Sequence, residues 1–173
     1  MNISWYGEAC FLLESGGTRV LIEPPQKESG LVPPRLKSDI LIYSRPKGAR
    51  LASSDEAAAK SQNDSEVFII DSPGEYEIKN VNIASVGDDE NIIHVIEMEN
   101  LKVAHFGFLK KEPDNEKLER IGNPDIVLAP VGGLKGELLN AESAMKLINK
   151  TEPKIAIPML YDIKGLKTKR APL

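Results

Sequence analysis

The chain has 173 residues, 41% hydrophobic and 28% charged, which suits one globular domain with a core of useful size. A net charge of −4 argues against a generic nucleic-acid binder, and no apolar run approaches the roughly 18 residues of a membrane span. One cysteine, Cys10, leaves no internal disulfide and points to a reducing compartment, the cytoplasm.

The N-terminus, Met1-Asn2-Ile3-Ser4-Trp5, lacks a basic segment leading into an apolar stretch, so no signal peptide is expected. Strands are predicted at Ile3 to Tyr6, Ala9 to Leu13 and Thr18 to Ile22, the last two joined by a turn over Glu14-Ser15-Gly16-Gly17. Glu23-Pro24-Pro25 ends the third strand, since proline cannot donate to a ladder, and residues 24–37 read as loop. Ile40 to Tyr43 is a buried strand running into a loop with three cations, Arg45, Lys47 and Arg50. Ser53-Ser54-Asp55-Glu56 has the hydroxyl cap and early acids of a short helix through Ala57, Ala58 and Ala59. Val67 to Ile70 reads as a buried strand, and hairpins follow at Tyr76 to Val86 and at Ile92 to Phe106. Asp114 caps a helix carrying Leu118 and Ile121, and Asn140 caps one carrying Ala144, Leu147 and Ile148. Between and after them lie strands at Asp125 to Ala129 and Ile155 to Ile157. Hairpins followed by strand–helix alternation predict an α/β (α+β) fold, with sheets packed between outer helices.

Charge is unevenly placed. Residues 35–50 sum to +4 and residues 161–170 to +3, leaving −11 for the remainder. The plain reading of both segments is a solvated loop and a flexible basic tail over 162–173.

Several segments in order resemble the metallo-β-lactamase superfamily, in the branch of small bacterial Zn-dependent hydrolases related to L-ascorbate-6-phosphate lactonases. They include Ile3-Ser4-Trp5-Tyr6-Gly7-Glu8-Ala9-Cys10-Phe11, Val20-Leu21-Ile22-Glu23-Pro24, Asp71-Ser72-Pro73-Gly74-Glu75-Tyr76, Leu101-Lys102-Val103-Ala104-His105-Phe106-Gly107, Pro130-Val131-Gly132-Gly133 and Pro158-Met159-Leu160-Tyr161. The resemblance covers nearly the whole chain. It implies one domain over 1–173, a minimal four-layer αβ/βα sandwich with its site where strand ends converge between two sheets.

The departures fall on the chemistry. After its apolar strand the family carries Thr or Ser and then His-x-His-x-Asp-His; here Ser44 is kept, but Arg45, Lys47, Ala49 and Arg50 occupy the ligand positions. Glu8 stands for a histidine, Glu23 for an aspartate, Phe108 for the metal-bridging aspartate and Leu160 for the last histidine. Catalytic zinc needs about three His, Cys or carboxylate ligands and an open position for water. Arginine has no lone pair to offer, nor have alanine, leucine or phenylalanine. Zinc, the family's cofactor, is therefore expected to be lost, with no metal site and no cofactor in its place.

What remains is a vestigial pocket of Glu8, Glu23, Arg45, Lys47, Arg50, His105, Phe108 and Leu160. One reading pairs Glu8 and Glu23 with the three cations, because buried charges must be paired. A second uses Arg45, Lys47 and Arg50 to bind an external anion, with both basic segments meeting at the site mouth. His105 reads as a hydrogen-bonded sheet residue and His94 as an outward-facing one. Glu75 and Glu77 share a strand face, solvated unless they do acid–base work. Cys10 reads as core and Gly132-Gly133 as a turn rather than a phosphate loop. The expected function is a non-catalytic pseudo-hydrolase binding an anionic small molecule or a partner protein, possession of catalysis being left open. The alternative is a metal-independent hydrolase or lactonase using Glu8, Glu23 or Glu75.

Overall fold

In a computed structural model, residues 1–25, 27–31, 36–45 and 67–173 are described. The cations Lys47 and Arg50 and the short helix expected near Ala57 lie outside the described residues.

Among the described residues, short apolar runs punctuated by tight turns make eleven strands. The first sheet comprises β1 (Asn2–Trp5), β2 (Phe11–Ser15), β3 (Thr18–Ile22), β4 (Ile40–Ile42) and β5 (Phe68–Ile70), in that spatial order. Its first three strands are antiparallel, whereas β3, β4 and β5 run parallel. The second sheet is ordered β11 (Ile155–Met159), β10 (Ile126–Pro130), β9 (Leu101–His105), β8 (Ile92–Met98), β7 (Val81–Gly87) and β6 (Gly74–Ile78). The hairpin strands β6 to β9 are antiparallel, and β9, β10 and β11 are parallel. Helices α1 (Asn115–Ile121) and α2 (Ala141–Thr151) supply the crossovers, capped by the side chains of Asp114 and Asn140 at 2.9 Å each.

Period-2 alternation sorts the apolar residues into layers. Ile40 and Ile42 join the cluster between the sheets, while Leu41 joins one on the outer face of the first sheet. Likewise Ile126 and Leu128 point between the sheets, and Val127 and Ala129 point toward Ile121, Ala144 and Leu147 of the helices. Each such side chain contributes about 2 kcal/mol by leaving water. This is the metallo-β-lactamase-like sandwich.

Three expectations change. His94 does not face outward: it is fully buried, because β8 is a central strand of a sheet covered on both faces. In β5 only Ile70 is buried; Phe68 and Ile69 are exposed on the edge of the first sheet. Residues 162–173 are not a free tail. Their backbone docks through Lys167 N–H to the Ser29 carbonyl at 2.8 Å and Ala171 N–H to the Gly132 carbonyl at 3.0 Å.

Candidate functional site

Strand direction brings one set of termini together. The carboxyl ends of β3, β4, β9 and β11 and the loop entering β2 meet at one end of the sandwich. Five residues there have positive φ: Gly7 (φ 95°), Glu8 (φ 47°), Glu23 (φ 46°), Gly107 (φ 61°) and Leu160 (φ 59°). For the three that are not glycine this costs about 1 kcal/mol or more each, strain that persists only where the surroundings enforce it. Glycine is required at 107, where a Cβ would sit 2.5 Å from that of Ser44.

Glu23 is buried, and its Oε1 accepts the Ser44 backbone N–H in a short hydrogen bond. The Ser44 hydroxyl lies 3.4 Å from His105 Nδ1, which also accepts Gly107 N–H at 3.2 Å. His105 Nε2 donates to the Ala9 carbonyl at 3.0 Å. Across the ladder sits His94, whose Nε2 donates to the Tyr43 carbonyl at 3.1 Å and whose Nδ1 accepts from Ser85 Oγ at 2.8 Å. Burial holds His94 down to about 3, with His105 beside it adding to the effect, and burial likewise lowers His105 to about 4. Both rings are neutral and spend both nitrogens on the protein. Cys10 is equally committed to the core: burial, reinforced by the Glu23 carboxylate, pushes its thiol far above the ordinary range.

Above this floor lies a cavity of about 270 Å³ lined in part by Glu8, Glu23, Arg45, Phe108, Thr168 and Arg170. The Arg45 guanidinium rests 4.0 Å from the centre of the Phe108 ring, a cation–π contact. Phe108 is fixed in turn by its N–H to Asn91 Oδ1 at 2.6 Å, while Asn91 Nδ2 donates to the Phe106 carbonyl at 3.1 Å. Arg170 donates from Nη2 to Glu8 Oε1 at 3.1 Å, both side chains being largely buried. The Nε atoms of Arg45 and Arg170 are buried without a protein acceptor.

Among the residues expected at the site, Glu8, Glu23, Arg45 and Phe108 meet at the cavity. His105 lies beneath it, and Leu160 is fully buried, its N–H 3.4 Å from the Glu8 carbonyl, so neither lines it. Glu8 does not pair with Arg45, and its expected pairing with Lys47 and Arg50 lies outside the described residues. Its partner is Arg170, because the C-terminal segment folds back across the mouth. The second basic segment was expected at the site mouth, and Arg170 is the residue of it that reaches the cavity, whereas Thr168 and Asn91 escaped the sequence reading. The only signal for Thr168 was the basic cluster Lys167 to Arg170, and Asn91 gave none.

The donors among the described residues do not fit a metal ion. Among the described residues no group of three or more His, Cys, Asp or Glu stands together in a way that could hold one. The nearby carboxylates Glu8 and Glu23 already accept hydrogen bonds, and both histidines are saturated.

Residues 2–160 match the family model described as the Beta-lactamase superfamily domain. A UPF0173 metal-dependent hydrolase from Archaeoglobus fulgidus is 26% identical over 196 residues, spanning 94% of this chain and 84% of its own. The crystal structure of a Thermotoga maritima protein, described as a candidate Zn-dependent hydrolase of the metallo-β-lactamase superfamily, superposes with a TM-score of 0.81. It is 30% identical and covers 98% of this chain and 80% of its own. A metallo hydrolase from Ignicoccus hospitalis shares the fold at a TM-score of 0.69 and 17% identity, over 92% of this chain and 82% of its own.

Proposed function

Because the chain belongs to the Beta-lactamase superfamily domain family yet presents arginines where that fold's metal ligands are expected, we propose a metal-independent member that binds a small anion. The reading includes a cytoplasmic setting, from the single cysteine. One observation carries it. The two carboxylates nearest the cavity floor are engaged, Glu8 by Arg170 and Glu23 by Ser44 N–H, whereas Arg45 meets only the Phe108 ring among the described residues. The unanswered donors facing the cavity are therefore guanidinium N–H groups, shaped to hold a carboxylate or phosphate in a fork. Glu28, the remaining carboxylate of the wall, is exposed at the rim and is screened by water.

The alternative, a metal-independent hydrolase, has less support. A general base needs a free carboxylate within reach of water in the site. Glu8 and Glu23 are already acceptors, and Glu75 lines a different cavity on the outer face of the second sheet.

The test is zinc content of protein purified without chelator, together with calorimetric titration by inorganic phosphate. Substoichiometric zinc, no thermal shift on adding zinc, and phosphate binding weakened at least about tenfold by Arg45→Ala, the loss of about one charge-assisted contact, are expected. Tight stoichiometric zinc sinks the reading.

A further inference from the structure

The cavity wall is built in two parts of different character. Glu8, Glu23, Arg45 and Phe108 stand on strand ends and their tight loops, whereas Thr168 and Arg170 come from the C-terminal segment 162–173. That segment has no helix or strand of its own. It is attached by a few backbone bonds, with Lys167 N–H to Ser29, Ala171 N–H to Gly132, and Asp162 N–H to the Ala171 carbonyl at 2.9 Å. Its seat is close-fitting: a Cβ on Gly30 would lie 2.7 Å from the Gly165 carbonyl and 2.9 Å from the Lys167 side chain. Most of its side chains, including Lys164, Lys167 and Lys169, remain in water. Arg170 is the exception. Its side chain is buried to about 11% exposure, with one acceptor, Glu8, and with Nε unpartnered.

Docking the segment therefore places a guanidinium in a partly desolvated cavity with fewer acceptors than donors. An oxyanion between Arg45 and Arg170 would accept from guanidinium N–H groups that Glu8 leaves unused. We infer that the C-terminal segment is a movable half of the anion site: Arg170 and Thr168 complete the pocket when the segment docks, and anion binding and docking stabilise each other. This rests on the anion-binding reading proposed above and adds the residues and the motion through which it works. Linkage makes the coupling reciprocal, so an anion that needs Arg170 must hold the segment down, and loosening the segment must weaken the anion. The shared chemistry of the ligand is an oxyanion with at least two acceptors, a phosphate or a carboxylate.

A protein-borne reporter and a cleavable marker both exist. Trp5, the only tryptophan, donates from Nε1 to the Glu8 carbonyl at 3.0 Å and packs 5.4 Å from the ring of Tyr161, where the segment begins. Lys164, Lys167 and Lys169 are exposed trypsin sites within the segment. The experiment follows tryptic cleavage of the whole chain by intact mass, with Trp5 fluorescence in parallel. One arm adds inorganic phosphate, a second adds succinate, and calorimetry under the same conditions gives each affinity. With either anion at about ten times its dissociation constant, mass action predicts cleavage inside 162–173 to slow about tenfold, with cleavage at other exposed lysines unchanged. Arg170→Ala should cleave faster than the parent without anion and lose the anion-dependent protection. Glu8→Gln, which keeps the loop's shape, should also loosen the segment. Which arm protects identifies the oxyanion. Binding by calorimetry with no change in cleavage or fluorescence overturns the coupled segment and leaves the anion site standing. No binding in either arm overturns both.

Discussion

The two ends of the sandwich handle charge differently. At the end away from the cavity, tight hairpin turns run over Lys79-Asn80 and Glu99-Asn100, both pairs at positive φ, in the geometry that matches strand twist. Charged groups there tie the sheets together through close ion pairs. Asp39 accepts Arg19 N–H at 2.9 Å and the Lys79 ammonium at 2.5 Å, and the N-terminal ammonium meets Glu99 at 2.8 Å. At the cavity end the positive-φ residues other than glycine are Glu8, Glu23 and Leu160, outside any two-residue hairpin, and two guanidinium Nε atoms lack acceptors. Strained backbone at Glu8, Glu23 and Leu160 around an open cavity is the feature that the proposed anion site would account for.

The largest way to test that contrast is acid. His94 and His105 lie under the cavity, neutral in the fold with values of about 3 and about 4 against 6.5 when unfolded. Above pH 6.5 neither state binds the proton, so stability is flat; below it the unfolded chain takes up protons that the folded chain refuses. Stability should therefore fall with a slope approaching about 1.4 kcal/mol per pH unit for each histidine, about 3 kcal/mol for both between pH 6.5 and pH 5. Urea denaturation across that range measures it, and His94→Gln should halve the slope. A flat profile would mean that the histidines are not held neutral as the structure has them.

Next comes the saturated end. Asp39→Ala removes two charge-assisted acceptors from an almost buried position, and about 3 kcal/mol should be lost, lowering the midpoint of thermal unfolding by roughly 6–12 °C. The smallest effect belongs to the cavity. Removing both charges, Glu8→Gln together with Arg170→Gln, leaves no buried charge uncompensated, so stability should change by no more than about 1 kcal/mol while anion affinity collapses. If this double variant destabilises the fold as much as Asp39→Ala, the two ends are alike and the cavity is built for stability.

How much of this was legible beforehand depends on the range of the interaction. Local signals placed β3 and β8 at their observed bounds, and named the caps Asp114 and Asn140, because turn chemistry, caps and period-2 alternation act within a few residues. The fold family was legible through motifs scattered along the chain, and residues 2–160 match its model. The exposed face of β5 was misread because Phe68-Ile69-Ile70 is as apolar as a central strand, and only the sheet order makes it an edge.

Local pattern thus determined an α/β fold of hairpins followed by strand–helix alternation, and the family resemblance implied that arginine, glutamate, phenylalanine and leucine stand where metal ligands are expected. Tertiary structure decided which charges meet. Glu8 and Arg170 are 162 residues apart, and their pair exists because the segment after β11 folds back over Ser29 and Gly132. It likewise turned His94 inward, since burial on a central strand depends on what covers both faces of the sheet. Alternation tells which residues share a face; only packing tells which face is covered and which distant charge arrives there.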